Sequence, residues 1–133
     1  MFAGEVDLKT WYKPNIDKKI LKKLSKRSDF KGIVDISIFI IMLLISGYLC
    51  IFTWGTLWSI PALLLYGNIF YCKIISIQHE TNHETYFKTR GLNKFFYHIT
   101  SLLGGFEAVR WKWSHFHHHT YTIFTHEEVY DYE

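Results

Sequence analysis

Two long apolar runs dominate the pattern of hydrophobic and polar positions. The first, Ile33 to Trp54, carries one charge, Asp35, near its start. The second, Leu57 to Ile77, carries one, Lys73, near its end. At about 1.5 Å of rise per residue each reaches roughly 30 Å, enough to cross a hydrocarbon core. The pattern predicts two transmembrane helices. The alternative is a pair of buried core helices, but two such runs are hard to bury in a soluble domain of 133 residues. Between them Thr53-Trp54-Gly55-Thr56 is short and uncharged, as an outer turn can be. Pro61 falls in the first turn of the second run, where proline is tolerated.

Beyond Ile77 the pattern changes. The charged stretch His83 to Lys94 belongs in water or among headgroups. Phe95 to Phe106 is apolar but too short to span, which predicts an interfacial or re-entrant helix closed by Gly104-Gly105. Upstream of the first run, Ile16, Ile20, Leu21 and Leu24 recur at helical spacing among lysines, so this segment can lie on an anionic membrane surface. The fold class expected is all-α integral membrane, a helical hairpin followed by cytoplasmic or interfacial helices. The divisions are a basic arm (1–32), two spans (33–54 and 57–77) and a segment on one side of the membrane (78–133).

Charge sets the orientation. The arm holds Lys9, Lys13, Lys18, Lys19, Lys22, Lys23, Lys26, Arg27 and Lys31 against Glu5, Asp7, Asp17 and Asp29. Basic flanks stay on the cytoplasmic side, so two crossings put both termini in the cytoplasm. Topology accounts for the basic run, and no nucleic-acid partner is required. The first run starts too late for an ordinary signal peptide and lacks a small-residue cleavage site after it. Cys50 and Cys72 lie inside the apolar runs and read as packing residues, neither a disulfide framework nor a metal spacing.

Six of the eight histidines fall in two short clusters just past the second run, His79-Glu80-Thr81-Asn82-His83 and His115-Phe116-His117-His118-His119. Imidazole is the commonest metal ligand, and residues at i, i+3 and i+4 share a helix face. His79 and His83, and likewise His115, His118 and His119, can each form a ligating face. His117 lies about 200° from His115 and reads as an outer histidine, with Glu80 a candidate to orient an imidazole through its ring N–H. His98 and His126 are isolated and read as ordinary polar residues. Many neutral imidazoles suit iron, zinc or copper. Five candidates exceed one tetrahedral zinc site, whereas iron accepts more nitrogen ligands and activates dioxygen. Next to a membrane, such a site suits oxidation of an unactivated C–H bond in a lipid-soluble chain, which acid–base side chains cannot achieve.

These residues resemble the membrane fatty acid desaturase family of non-haem di-iron oxidases. The family's His-x-x-x-His box matches His79 to His83, and its His-x-x-His-His box matches His115 to His119. The flanks Lys88-Thr89-Arg90-Gly91-Leu92-Asn93 and Trp111-Lys112-Trp113-Ser114 agree as well, and the resemblance covers roughly residues 33–125. It implies an acyl-lipid desaturase that introduces a double bond, with two iron ions and with His79, His83, His115, His118 and His119 among the metal ligands. It also implies an acyl or membrane-lipid substrate, O2, and an electron donor such as ferredoxin or cytochrome b5 with its reductase. The setting would be a bacterial inner membrane or the endoplasmic reticulum. The family carries a third histidine box after a further pair of spans. The sequence given holds neither, so it resembles an N-terminal portion, and the expectation is that this stretch alone is inactive with an incomplete di-iron centre.

Three other readings compete. Related di-iron hydroxylases and ketolases share the scaffold. His79-Glu80-Thr81-Asn82-His83 also fits the His-Glu-x-x-His zinc motif of membrane metalloproteases, with Glu80 as general base; that leaves the second cluster unexplained. The third is a metal-binding but inactive membrane fragment.

Overall fold

A computed structural model describes residues 15–121 and the backbone of two short strands beyond them. Lys9, Lys13, Glu5 and Asp7 of the arm, and the side chain of His126, lie outside the described residues. The elements run α1 (Lys18–Leu24), α2 (Asp29–Phe52), α3 (Ser59–Asn82), α4 (Arg90–Gly104) and α5 (Ala108–Tyr121). A two-residue antiparallel pair follows, β1 (Thr125–His126) with β2 (Val129–Tyr130). Apart from that pair, the regular structure described is helical.

Local signals set the helix ends. Asp17 caps α1 by accepting from the Lys19 N–H at 2.7 Å, and no residue of α1 is buried. Ser28 caps α2, accepting from the Lys31 N–H. Gly105 closes α4 in the left-handed region at φ 76. Its N–H bonds to Leu102 O, and the Phe106 N–H reaches back to Ser101 O at 2.8 Å, the paired bonds of a glycine-terminated helix. Glu107 then caps α5, its carboxylate accepting from the Val109 and Arg110 N–H groups.

The two apolar runs become α2 and α3, both long and apolar enough to cross a membrane. Only 22% and 11% of their most apolar windows are buried within the protein, so neither is a core helix of the described chain. Where they meet, Phe39, Ile74 and Ile77 form a small core, joined by Ile36, Leu43, Ile69, Phe70, Tyr86 and Phe96. The lone charges of the runs find each other. Lys73 Nζ lies 2.8 and 2.7 Å from the Asp35 carboxylate oxygens, and the Tyr86 hydroxyl also donates to Asp35. Burial and that bond push the Tyr86 ionisation upward, so the hydroxyl stays a donor.

The helix boundaries differ from the hydropathy boundaries. The second apolar run ends at Ile77, yet α3 continues to Asn82 and carries His79 with it. It continues with Ile77, Gln78 and Thr81 still buried. Helix α4 in turn starts at Arg90, before its apolar stretch, and doubles back along α3. A Cβ on Gly104 at its far end would lie 3.4 Å from Ile74 Cγ2.

The connection between α3 and α4 is pinned to α2. Asp29 accepts from both the N–H and the hydroxyl of Thr89, each at 2.8 Å. Phe87 is fully buried, its ring against Gly32, where a Cβ would come within 2.5 Å of Phe87 Cε1. Asn93 is also fully buried. It accepts from the Phe87 N–H at 3.0 Å and donates to Phe87 O at 2.9 Å and Thr89 O at 3.2 Å. The loop that leaves the first histidine cluster is therefore fixed from two sides.

Candidate metal centre

His79 lies in the last turn of α3, and His83 follows as its C-cap residue. Helix α5 carries the second cluster back to them. His79, His83, His115 and His119 converge, and one ring nitrogen from each lies within 4.8 Å of the others. The His83 and His115 Nε2 atoms are 3.1 Å apart. The His119 and His115 Nε2 atoms are 3.0 Å apart. His115 is buried, His79 half-buried, and His83 and His119 lie at the exposed rim. Loss of water around the packed rings lowers the His83 pKa, and the nearby His79, His115 and His119 rings push the same way. A lowered value favours neutral imidazole, the form that binds a metal.

The other candidates fall around this group. His118 stands outside it, near-parallel to His115 with ring centroids 5.9 Å apart. At about 100° per residue, His115 and His119 are 40° apart on α5, while His118 lies 100° from His119. A narrow pair of histidines on α3 meets the first two and leaves the third to one side. His117 lines a cavity of about 630 Å³ with Phe106, Arg110, Trp111, Trp113 and Ser114. Glu80 accepts the Thr85 hydroxyl at 2.6 Å. His98 lies on α4, its ring against Tyr97.

Two residues at the site carry more than their sequence positions suggested. Trp111 stacks on His115, centroids 4.4 Å apart and planes 14° from parallel. It also meets His79, Tyr97 and Phe106 edge-on or tilted, so it backs the buried His115 ring. Its spacing, four residues before His115, was the available signal. Gln78, beside His79, is fully buried with neither amide atom hydrogen-bonded. No sequence signal marked it.

The set can hold a metal ion. A pair of irons needs more donors than these four supply. A family model described as fatty acid desaturase matches residues 53–133, from the turn after α2 through both histidine clusters. No curated protein and no solved structure matches the chain.

Proposed function

The chain belongs to the fatty acid desaturase family, and from that premise we propose that it serves O2-dependent desaturation of an acyl chain in a membrane lipid. The observation that carries the reading is the meeting of two histidine clusters, His79 with His83 and His115 with His119, at the end of an apolar hairpin. Iron held by these histidines would supply the oxidising power that an unactivated C–H bond demands. The chain's own groups do the rest. His115, buried and stacked on Trp111, fixes the centre of the site. The Asn93 and Asp29 bonds hold the loop after His83. The α2–α3 hairpin keeps the site beside the bilayer that contains the substrate.

Forming one double bond removes two hydrogens and two electrons from the acyl chain. Reducing O2 to two waters takes four electrons, so an external donor gives the other two, and the solvent gives two protons. In this reading α2 and α3 cross the membrane, the histidines face the cytoplasm, and the basic α1 lies on the anionic surface beside them. His118 joins the metal ligands of the active protein together with donors from a third histidine box, and the two boxes alone do not turn over lipid.

The zinc-protease reading is less well supported. It needs Glu80 as a base above an open metal position, whereas Glu80 accepts the Thr85 hydroxyl. It also uses two of the four converging imidazoles. The test expresses the open reading frame that carries this sequence in a host of known lipid composition, with iron supplied. New unsaturated acyl chains that vanish in His79→Ala and His115→Ala are the expected result. An unchanged acyl profile in an iron-loaded membrane fraction would sink the proposal.

A further inference from the structure

We propose that the cavity on the side of α5 away from His115 and His119 holds the headgroup of a zwitterionic phospholipid, with the phosphate at Arg110 and the ammonium at Glu107 among three aromatic rings. The proposal rests on the membrane placement of the functional reading and deepens it by naming the class of lipid. The cavity is not the histidine cluster. Arg110, Trp113, Ser114 and His117 line it, and their i, i+3, i+4, i+7 spacing puts them on one face of α5. At about 100° per residue, His115 lies roughly 140° round the helix from Arg110. The volume of about 630 Å³ falls within the roughly 300–1,000 Å³ of small-molecule sites.

The lining carries both signs of charge and keeps them apart. Glu107 turns its carboxylate back onto the start of α5, where one oxygen accepts the Val109 N–H and the other the Arg110 N–H. The ion pairs among the described residues are Lys73 with Asp35 and Arg90 with Glu84, so the Arg110 guanidinium and the Glu107 carboxylate are not paired with each other. A guanidinium suits the oxygens of a phosphate, and Ser114, one turn on, adds a hydroxyl donor. A carboxylate oxygen that accepts one N–H keeps a second lone pair, and an ammonium also favours aromatic faces. Phe106 and Trp111 supply two such faces, 6.0 Å apart with their planes at 61°, and the exposed Trp113 a third. A ligand of one sign leaves one of the two charges unanswered, whereas a zwitterion answers both. Tryptophan prefers the membrane interface, where such headgroups lie. Trp111 is also the ring stacked on His115, so a lipid anchored here is held one indole away from the histidine cluster.

The test uses the full 133-residue chain, purified in a maltoside detergent and freed of native lipid. It is offered dihexanoyl phosphatidylcholine, phosphatidylethanolamine and phosphatidylglycerol, and hexanoyl-CoA, singly and in equimolar competition. Native mass spectrometry counts the bound ligand. One phosphatidylcholine or phosphatidylethanolamine per chain is expected, held about tenfold more tightly than phosphatidylglycerol or hexanoyl-CoA, the worth of one charge-assisted contact. Arg110→Gln should weaken every phosphate ligand about tenfold on the same grounds. Glu107→Gln keeps an oxygen to cap α5 but should erase the preference over phosphatidylglycerol. Lys112→Gln, at an exposed charge that does not line the cavity, should change neither. Glu107 and Arg110 are exposed as well, so these variants keep the fold, which circular dichroism checks. Equal retention of all four ligands, a preference for phosphatidylglycerol or hexanoyl-CoA, or an Arg110→Gln chain that binds like the parent would each overturn the proposal. Lipid oxidation is not read in this assay. An inactive protein that keeps the preference counts against desaturation alone, and an active one without it counts against this site alone.

Discussion

Replacing Asn93 by leucine tests how the site is held. Leucine shares the branched four-heavy-atom skeleton of asparagine but is bulkier and has no polar atoms. The change removes the three hydrogen bonds that join Asn93 to Phe87 N–H, Phe87 O and Thr89 O. Phe87 is fully buried, so its N–H and C=O lose their side-chain partner where water cannot replace it. Each buried backbone group left unpaired costs about 1–3 kcal/mol, and two give roughly 2–6 kcal/mol. Asn93→Asp separates the contributions. Aspartate can still accept from the Phe87 N–H, but it sets a negative charge beside two carbonyl oxygens that formerly accepted from the amide. It should be at least as destabilising as leucine. Reversible unfolding in mixed detergent micelles, followed by circular dichroism, measures both. An Asn93→Leu change within about 0.5 kcal/mol of the parent, the range of an inconsequential surface substitution, would refute the claim that this amide clamps the loop.

Three further outcomes are expected. Gly32→Ala gains about 1 kcal/mol of helix propensity but drives its methyl into the Phe87 ring, an overpacking cost of about 1–3 kcal/mol. The net should be destabilising, and Phe87→Leu in the same chain should relieve it; a Gly32→Ala chain more stable than the parent contradicts the contact. Trp111→Ala removes the stack on His115 and should weaken metal binding about tenfold, as loss of an outer partner does; unchanged affinity in a chelator competition argues that the stack positions nothing. Reporter fusions at residues 30, 55 and 90 should read cytoplasmic, external and cytoplasmic, and an external signal at 90 defeats the proposed topology.

Much of this architecture was legible in the one-dimensional pattern because it depends on local periodicity. The apolar runs gave α2 and α3, Gly104-Gly105 gave the end of α4, and helical spacing gave one face of His79 with His83 and one of His115, His118 and His119, of which all but His118 converge. What was not legible depends on contacts between distant residues. Hydropathy falls at Ile77, but helix α3 runs on to Asn82 with Ile77, Gln78 and Thr81 still buried by tertiary packing. The spacing of the second box does not separate His118 from His119; only the direction from which α3 approaches does. Gly32 and Asn93 look like an ordinary glycine and asparagine until Phe87 is placed between them. Asp35 and Lys73 read as isolated interruptions until α2 and α3 pack side by side.

That last pair bears on how the protein is made. Asp35 is synthesised 38 residues before Lys73. At about 5–20 residues per second, the ribosome leaves the carboxylate without its ammonium for roughly 2–8 s. A lone aspartate or lysine at the centre of a spanning helix costs about 2.5–3.5 kcal/mol on the insertion scale, less toward an end. In the proposed topology the first span alone would carry a penalty that the second span cancels, and Tyr86 is made later still, 51 residues after Asp35. Insertion in that topology is expected to be pairwise, with α2 and α3 entering the bilayer together as a neutralised hairpin.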